Sequence, residues 1–95
     1  MAGISKTVIS VQPGQMQNAQ DYITSLSDRV ASIDGIISYG FAVTGENELT
    51  VVGVYGTKDE AEAATPVVQE VFGEIASMVT GAPERGVFEG EWFTK

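Results

Sequence analysis

The chain contains neither cysteine nor histidine among its 95 residues. These two absences exclude disulfide bonds, thiolate and imidazole metal ligands, cysteine and histidine nucleophiles, and any Ser-His-Asp triad. An acid or a base in this chain has to be Asp, Glu, Lys or Tyr. The absence of these residues excludes several classes of catalytic site, and no residue that is present identifies one. No catalytic residue can therefore be assigned from the sequence.

Basic residues are also scarce, with five Lys and Arg against thirteen Asp and Glu and a net charge of −8. The five cations are scattered, so no local patch offsets a field that repels phosphate backbones and anionic headgroups. We expect no nucleic acid and no membrane as partner, and we interpret the acidity as a source of solubility rather than as an acidic docking surface. The chain has no apolar run of membrane-spanning length and no signal-peptide core, so a cytoplasmic location is the default expectation.

The first third of the chain predicts a strand followed by a helix. Ile4 to Val11 is rich in Ile, Val and Thr and ends at a Pro-Gly pair, which is typical of a strand and its turn. From Met16 to Ile33 the apolar positions recur at gaps of three and four, which predicts one amphipathic helix. Gly35 suits the left-handed position that ends such a helix.

The middle of the chain predicts a β-hairpin and a second helical region. Two strand-like runs, Ile36 to Thr44 and Leu49 to Gly56, are joined by a polar turn. Thr57 with Glu60 three residues later forms a capping-box pattern that starts a helix.

The last third predicts a helix restart and a final strand. Thr65 is expected to cap the restarted helix with Pro66 as its first residue, and the helix should run to Gly81. Val87 to Phe93 is the last predicted strand. The order is βαββαβ, so residues 1–95 are expected to form one α+β domain of the ferredoxin-like kind, with a four-stranded antiparallel sheet covered by helices on one face.

The two hairpin strands show no solvated face. Leu49, Val51, Gly53 and Tyr55 alternate with Thr50, Val52, Val54 and Gly56, and the preceding strand is apolar or small on both sides. Two helices cover only one face of such a sheet, and an exposed apolar patch of this size usually marks an interface. We therefore expect a homodimer that pairs sheet against sheet.

The last predicted strand offers two candidate features. Glu89 and Glu91 would emerge on one face, where paired carboxylates could divide acid and base roles, although charge on an edge strand more often serves to prevent unwanted pairing. On the other face, Phe88 and Trp92 flank Gly90 and could form a small-ligand pocket, or simply fill a core. The other aromatic residues expected to line a space between sheet and helices are Tyr39, Tyr55 and Phe72.

Three segments of the chain resemble the antibiotic-biosynthesis-monooxygenase-like branch of the dimeric α+β barrel superfamily. They are Val11-Gln12-Pro13-Gly14, Asp34-Gly35, and Tyr55-Gly56-Thr57-Lys58-Asp59-Glu60-Ala61. The resemblance covers nearly the whole chain, but these motifs concern layout and none is catalytic. It implies a homodimer whose two sheets form a common barrel, with a cavity in each subunit between sheet and helices.

The resemblance leaves two hypotheses open, because one fold hosts many functions. Haem degradation in the family relies on a first-strand Asn, a Trp in the second helical region and a His, and none of these is present here. The first hypothesis is a cofactor-independent, monooxygenase-like enzyme that acts on a small hydrophobic or aromatic metabolite without a metal, with Tyr39, Tyr55, Phe72 and Trp92 shaping the cavity. The alternative is a non-catalytic small-molecule-binding or interaction module.

Overall fold

Four strands and four short helices make up the computed structural model, which describes residues 1–95. The elements are β1 (Ala2–Ser10), α1 (Met16–Ser25), α2 (Ser27–Ala31), β2 (Ile36–Gly45), β3 (Glu48–Tyr55), α3 (Lys58–Ala63), α4 (Thr65–Gly73) and β4 (Glu84–Gly90), with a 3-10 turn at Ala76–Met78. None of the helices combines the length and the apolar character that crossing a membrane requires.

The strands form one sheet in the order β2-β3-β1-β4, with every neighbouring pair antiparallel. The two halves of the chain each contribute a strand, a helical region and a strand, so the predicted ferredoxin-like α+β arrangement is confirmed. On β1 the buried positions are Gly3, Ser5, Thr7 and Ile9, which alternate with more exposed ones. Because Ser5 lies opposite Gly53 of β3 and Val87 of β4, these positions define the helix-covered face of the sheet.

The helix predicted from Met16 to Ile33 is interrupted at Leu26. This residue has φ −89° and ψ 1°, and its N–H donates to the carbonyl of Ile23, three residues back. The Ser25 hydroxyl donates to the carbonyl of Tyr22 at 2.6 Å. Serine side chains that bond the preceding turn compete with regular helix, which accounts for the break between α1 and α2.

Simple alternation along β2 fails at its start because of a β-bulge. Tyr39 and Phe41 lie opposite Gly53 and Val51 on the helix-covered face, as their spacing predicts. A register shift between Ile36 and Ser38 then changes the parity, so Ile36 also faces the helices whereas Ile37 is 63% exposed. A bulge inserts one unpaired residue, and residues before it change face.

The capping predictions hold at α3 and shift by one residue at α4. The Thr57 hydroxyl accepts the backbone N–H of Glu60 at 3.1 Å, and Gly35 has φ +84° as predicted. At α4 the cap is Ala64, with helical φ and ψ, so Thr65 is already the first helical residue. The chain bends there without leaving helical geometry.

Helix α4 is shorter than predicted, and the last strand begins and ends earlier. The segment after the 3-10 turn pairs with the end of β1 instead of continuing the helix, since Val79 bridges Val11 and the N–H of Thr80 donates to the carbonyl of Ser10. β4 then follows Pro83 and runs alongside β1 until Gly90 meets Ala2. β4 ends at Gly90, so Trp92 and Phe93 lie outside it.

The core between sheet and helices consists of two clusters. The buried residues of the first are Ile9, Val11, Ala19, Leu49 and Ile75. The second, at the other end of the sheet, is built on Tyr55, Ala61 and Ala64. Tyr55 is only 1% exposed although it carries a hydroxyl group. The gap between these clusters is where the candidate site lies.

Candidate functional site

A cavity of about 290 Å³ lies between the helix-covered face of the sheet and helices α1, α2 and α4. Val51, Gly53 and Tyr55 of β3 contribute to its floor, and Leu26 and Phe72 come from the helical side. Thirteen of its twenty lining residues are hydrophobic. Its volume is at the lower end of the range found for small-molecule pockets, roughly 300–1,000 Å³. The site is therefore suited to a small, largely apolar ligand.

The cavity exists because small side chains meet at the centre of the sheet. Ser5 on β1 and Tyr39 on β2 are both paired with Gly53, so the middle strand presents no side chain between them. A Cβ atom at Gly53 would lie 2.8 Å from Ser5 Oγ and 3.2 Å from a ring carbon of Tyr55. Any larger residue at this position would therefore push into the neighbours that shape the floor.

Three of the four aromatic residues singled out in the sequence line this cavity. They are Tyr39, Tyr55 and Phe72, and Phe41 joins them as a fourth aromatic side chain. The Tyr39 hydroxyl donates to the carbonyl of Ser27 at 3.0 Å, which ties β2 to the start of α2. Their role in binding remains a prediction.

Trp92 lies on the opposite side of the sheet. It borders a groove of about 300 Å³ on the face that carries no helices, together with Thr50, Val52 and Val54 of β3. Its side chain is 48% exposed. The tail after β4 thus leads the indole across the open face, so Trp92 does not share the helix-side cavity with the other three aromatic residues.

The two carboxylates considered in the last strand also stand apart from the cavity. Glu89 pairs in register with Gly3 near the end of β1, and Glu91 lies beyond β4. Both are exposed, and neither lines the helix-side cavity. No group of three or more acidic side chains in the structure is arranged to hold a metal ion.

The polar groups of the cavity are hydroxyls and one cation. Ser5, Thr7 and Ser27 contribute hydroxyls, and Arg85 is the single charged residue among the lining residues. Arg85 lies in β4, opposite Thr7 of β1. It precedes Val87, the residue at which the strand was predicted to begin. Arg85 was therefore not predicted as a site residue, although alternation back from Val87 places it on the helix-covered face.

An ion pair joins two of the helical segments above the cavity. Arg29 of α2 donates to the carboxylate of Glu74, directly after α4, at 2.6 Å, and both side chains are about half exposed. The hydrogen bond to Glu74 and its negative charge raise the pKa of Arg29 above its ordinary value. Val30 follows Arg29 in sequence, Phe72 lies two residues before Glu74, and both line the cavity. The ion pair therefore connects the two helical walls of the cavity.

The solved structures similar to this chain share its whole architecture. A protein of unknown function from Nitrosomonas europaea, NE2512, has a TM-score of 0.83 at 12% identity, covering 99% of this chain and 93% of that one. SnoaB from Streptomyces nogalater, a cofactor-independent oxygenase, has a TM-score of 0.73 at 12% identity, covering 97% and 95%. This chain has the antibiotic-biosynthesis-monooxygenase-like fold. The resemblance stated from the sequence is thereby confirmed.

A provisionally assigned antibiotic biosynthesis monooxygenase from Nitrosomonas europaea gives the same result, with a TM-score of 0.77 at 10% identity and coverage of 99% and 94%. No protein-family model and no curated protein matches the sequence. At identities this low the likeness concerns the fold, and the site has to be argued from its own residues.

Proposed function

We propose that this protein binds a small aromatic or hydrophobic metabolite in the helix-side cavity and oxygenates it without a metal or an organic cofactor. The observation that carries the proposal is the cavity itself, an apolar space of about 290 Å³ lined by Tyr39, Phe41, Tyr55 and Phe72. Aromatic walls favour a flat ring by offset and edge-to-face packing. SnoaB, which has the same fold, is a cofactor-independent oxygenase, and this supports the reaction class.

The reaction balances without an external reductant. One atom of dioxygen enters the metabolite, and the other leaves as water with two hydrogens that the metabolite supplies. The substrate is thereby both electron donor and oxygen acceptor, so the protein needs only to bind it, orient it and exclude bulk water. The Arg85 guanidinium and the Thr7 hydroxyl are polar groups of the cavity that could interact with charge on such a substrate.

A non-catalytic binding module is the second candidate. It is favoured by the absence of any carboxylate among the residues that line the cavity, because proton abstraction from a carbon or a phenol then lacks the usual base. The two candidates differ in a single observable: a binding module takes up the ligand without consuming oxygen.

The test combines ligand titration with oxygen uptake, using 1-naphthol as the probe. Val51→Phe replaces a small aliphatic side chain of the cavity with an aromatic ring, and Val43→Phe makes the same change at an exposed position of β2 that does not line it. We expect 1-naphthol to shift the amide NMR signals of Ser5 and Gly53, and Val51→Phe alone to abolish the shifts. Oxygen uptake that is abolished by Val51→Phe would support the enzyme hypothesis. Binding of 1-naphthol without oxygen uptake would support the non-catalytic binding module. Shifts that survive Val51→Phe would contradict the cavity as the site.

We also propose that the open face of the sheet forms the homodimer. Ile4, Val8 and Val52 lie partly exposed on that face, and Phe88 is 56% exposed there. A two-fold interface requires one self-complementary surface, and the exposed apolar side chains of this face support that use. We expect sedimentation velocity to show a dimer that Phe88→Glu dissociates. Val67→Glu, at a 45% exposed position in α4, should leave it intact. A monomeric wild-type protein at all concentrations would refute the interface.

A further inference from the structure

Arg85 is the one cation that the fold directs toward the interior. Its register partner on β1 is Thr7, which is 2% exposed, and both side chains lie on the helix-covered face. The other four cations, Lys6, Arg29, Lys58 and Lys95, do not line the cavity. In a chain with thirteen acidic residues and a net charge of −8, an inward cation is expected to have an acidic partner.

The guanidinium of Arg85 has no such partner in the protein. Its Nε donates to Thr65 Oγ1 at 3.3 Å, and its Nη2 donates to the carbonyl of Ala61 at 2.7 Å. Both acceptors are neutral. The two ion pairs of the structure, Arg29 with Glu74 and Lys58 with Glu62, do not include it. Two bonds fix the orientation of the guanidinium, while a guanidinium carries five N–H donors, so further donors are available.

The position of Arg85 is also where two cavities meet. A second space of about 490 Å³ lies beside the end of α4 and the segment Gly81–Pro83. Four residues line both spaces: Thr7, Val68, Phe72 and Arg85. An apolar ring in the first cavity would therefore have a polar group next to the guanidinium, with the Thr7 hydroxyl on the adjacent strand as a second donor.

We propose that Arg85 binds an anionic, planar group of the ligand, such as a carboxylate, so that the substrate class is a small aromatic acid. The inference rests on the proposed use of the helix-side cavity. Arg forms paired, charge-assisted hydrogen bonds with carboxylates, and these are stronger than bonds between neutral groups. A ligand of this class would supply a negative charge for the partly buried Arg85 guanidinium, whose hydrogen-bond acceptors within the protein are neutral.

The experiment compares 2-naphthoate with 2-naphthamide, which share the ring system and differ in charge. Titrations of the full chain should show 2-naphthoate binding more tightly, by roughly tenfold or more as expected for a charge-assisted bond. Arg85→Gln keeps a side-chain donor near the Ala61 carbonyl but removes the charge, so it should reduce the affinity for 2-naphthoate to that for 2-naphthamide. Lys58→Gln, which removes a cation that does not line the cavity, should change neither affinity.

The outcomes separate the two proposals. Equal binding of both compounds to the wild-type protein would refute the proposed role of Arg85 but would still support the cavity as a ligand site. Binding of neither compound overturns both. If Arg85→Gln does not fold, Nε–H NMR signals of the wild-type protein decide the matter, because 2-naphthoate and not 2-naphthamide should shift the signal of Arg85. An Arg85 that only supports the end of α3 would show no such difference.

Discussion

Two glycines with the same backbone geometry provide a direct test of how the chain is held before β2. Gly14 and Gly35 both have φ +84°, in the left-handed region that an L side chain rarely adopts. A Cβ at Gly14 would meet no atom within 4 Å, whereas at Gly35 it would collide with the Glu60 carboxyl group. Gly14→Ala therefore reports the backbone cost alone, and Gly35→Ala reports the same cost plus the collision.

The expected magnitudes follow from these contacts. Left-handed geometry costs a non-glycine residue about 1–2 kcal/mol, which applies to both variants. At Gly35 the Glu60 side chain also has to move away and loses the hydrogen bond it accepts from the Thr57 hydroxyl at 3.3 Å. This adds about 0.5–1.5 kcal/mol, the net value of one hydrogen bond. In a domain of this size each kcal/mol lowers Tm by about 4–8 °C.

Urea and thermal unfolding at one fixed protein concentration measure both variants, and a third, Gly35→Ala combined with Glu60→Ala, isolates the collision. Relative to Glu60→Ala alone, the added cost of Gly35→Ala should fall toward that of Gly14→Ala. A neutral or stabilising Gly14→Ala would refute the backbone argument, since it would mean that the loss of unfolded-state entropy outweighs the strain. A Gly35→Ala variant as stable as Gly14→Ala would refute the collision.

Three further predictions concern stability. Ile9 is 0% exposed and Ile37 is 63% exposed, so Ile9→Ala should lower the free energy of unfolding by about 2–5 kcal/mol and Ile37→Ala by less than about 0.5 kcal/mol. Urea titrations measure both changes in the Phe88→Glu background, which we expect to be monomeric. Thr57→Ala removes the cap of α3 and should cost about 1 kcal/mol by the same measurement. Arg29 has a raised pKa because of Glu74, and a raised pKa in a cation contributes stability that is fully present below its unfolded pKa. Arg29→Met should therefore lower the urea midpoint slightly and equally at about pH 7 and pH 9, and high salt should shrink the difference.

Much of the fold could be predicted because its signals are local. The turn at Gly35, the cap at Thr57 and the alternation of β3 depend on residues next to one another in sequence. The end of β4 and the bulge before Ser38 depend instead on partner strands. The pairing of β4 with β1 extends to Ala2 and Gly90, and the sequence of β4 alone does not contain that information.

The site was predictable only in part for the same reason. Tyr39 and Tyr55 follow from alternation along a hairpin, which fixes their common face. Trp92 was predicted to lie in the last strand and Arg85 to lie before it. Both predictions are wrong because β4 lies three residues earlier than predicted. The shift moves the tryptophan out of the sheet and over its open face, and brings the arginine from a loop into the strand.

The lack of a solvated face on β2 and β3 now has two separate causes. Tyr39, Phe41 and Val52 border both the helix-side cavity and the groove under Trp92, so these strands form a thin wall between two apolar spaces. One side of the wall faces a candidate ligand, and the other faces a candidate second subunit. Because Val51 and Phe88 lie on opposite faces of the sheet, we expect Val51→Phe to impair only the proposed ligand binding and Phe88→Glu only the proposed self-association. An apolar strand surface alone therefore does not distinguish an interface from a binding site, and the side on which the helices pack has to be known first.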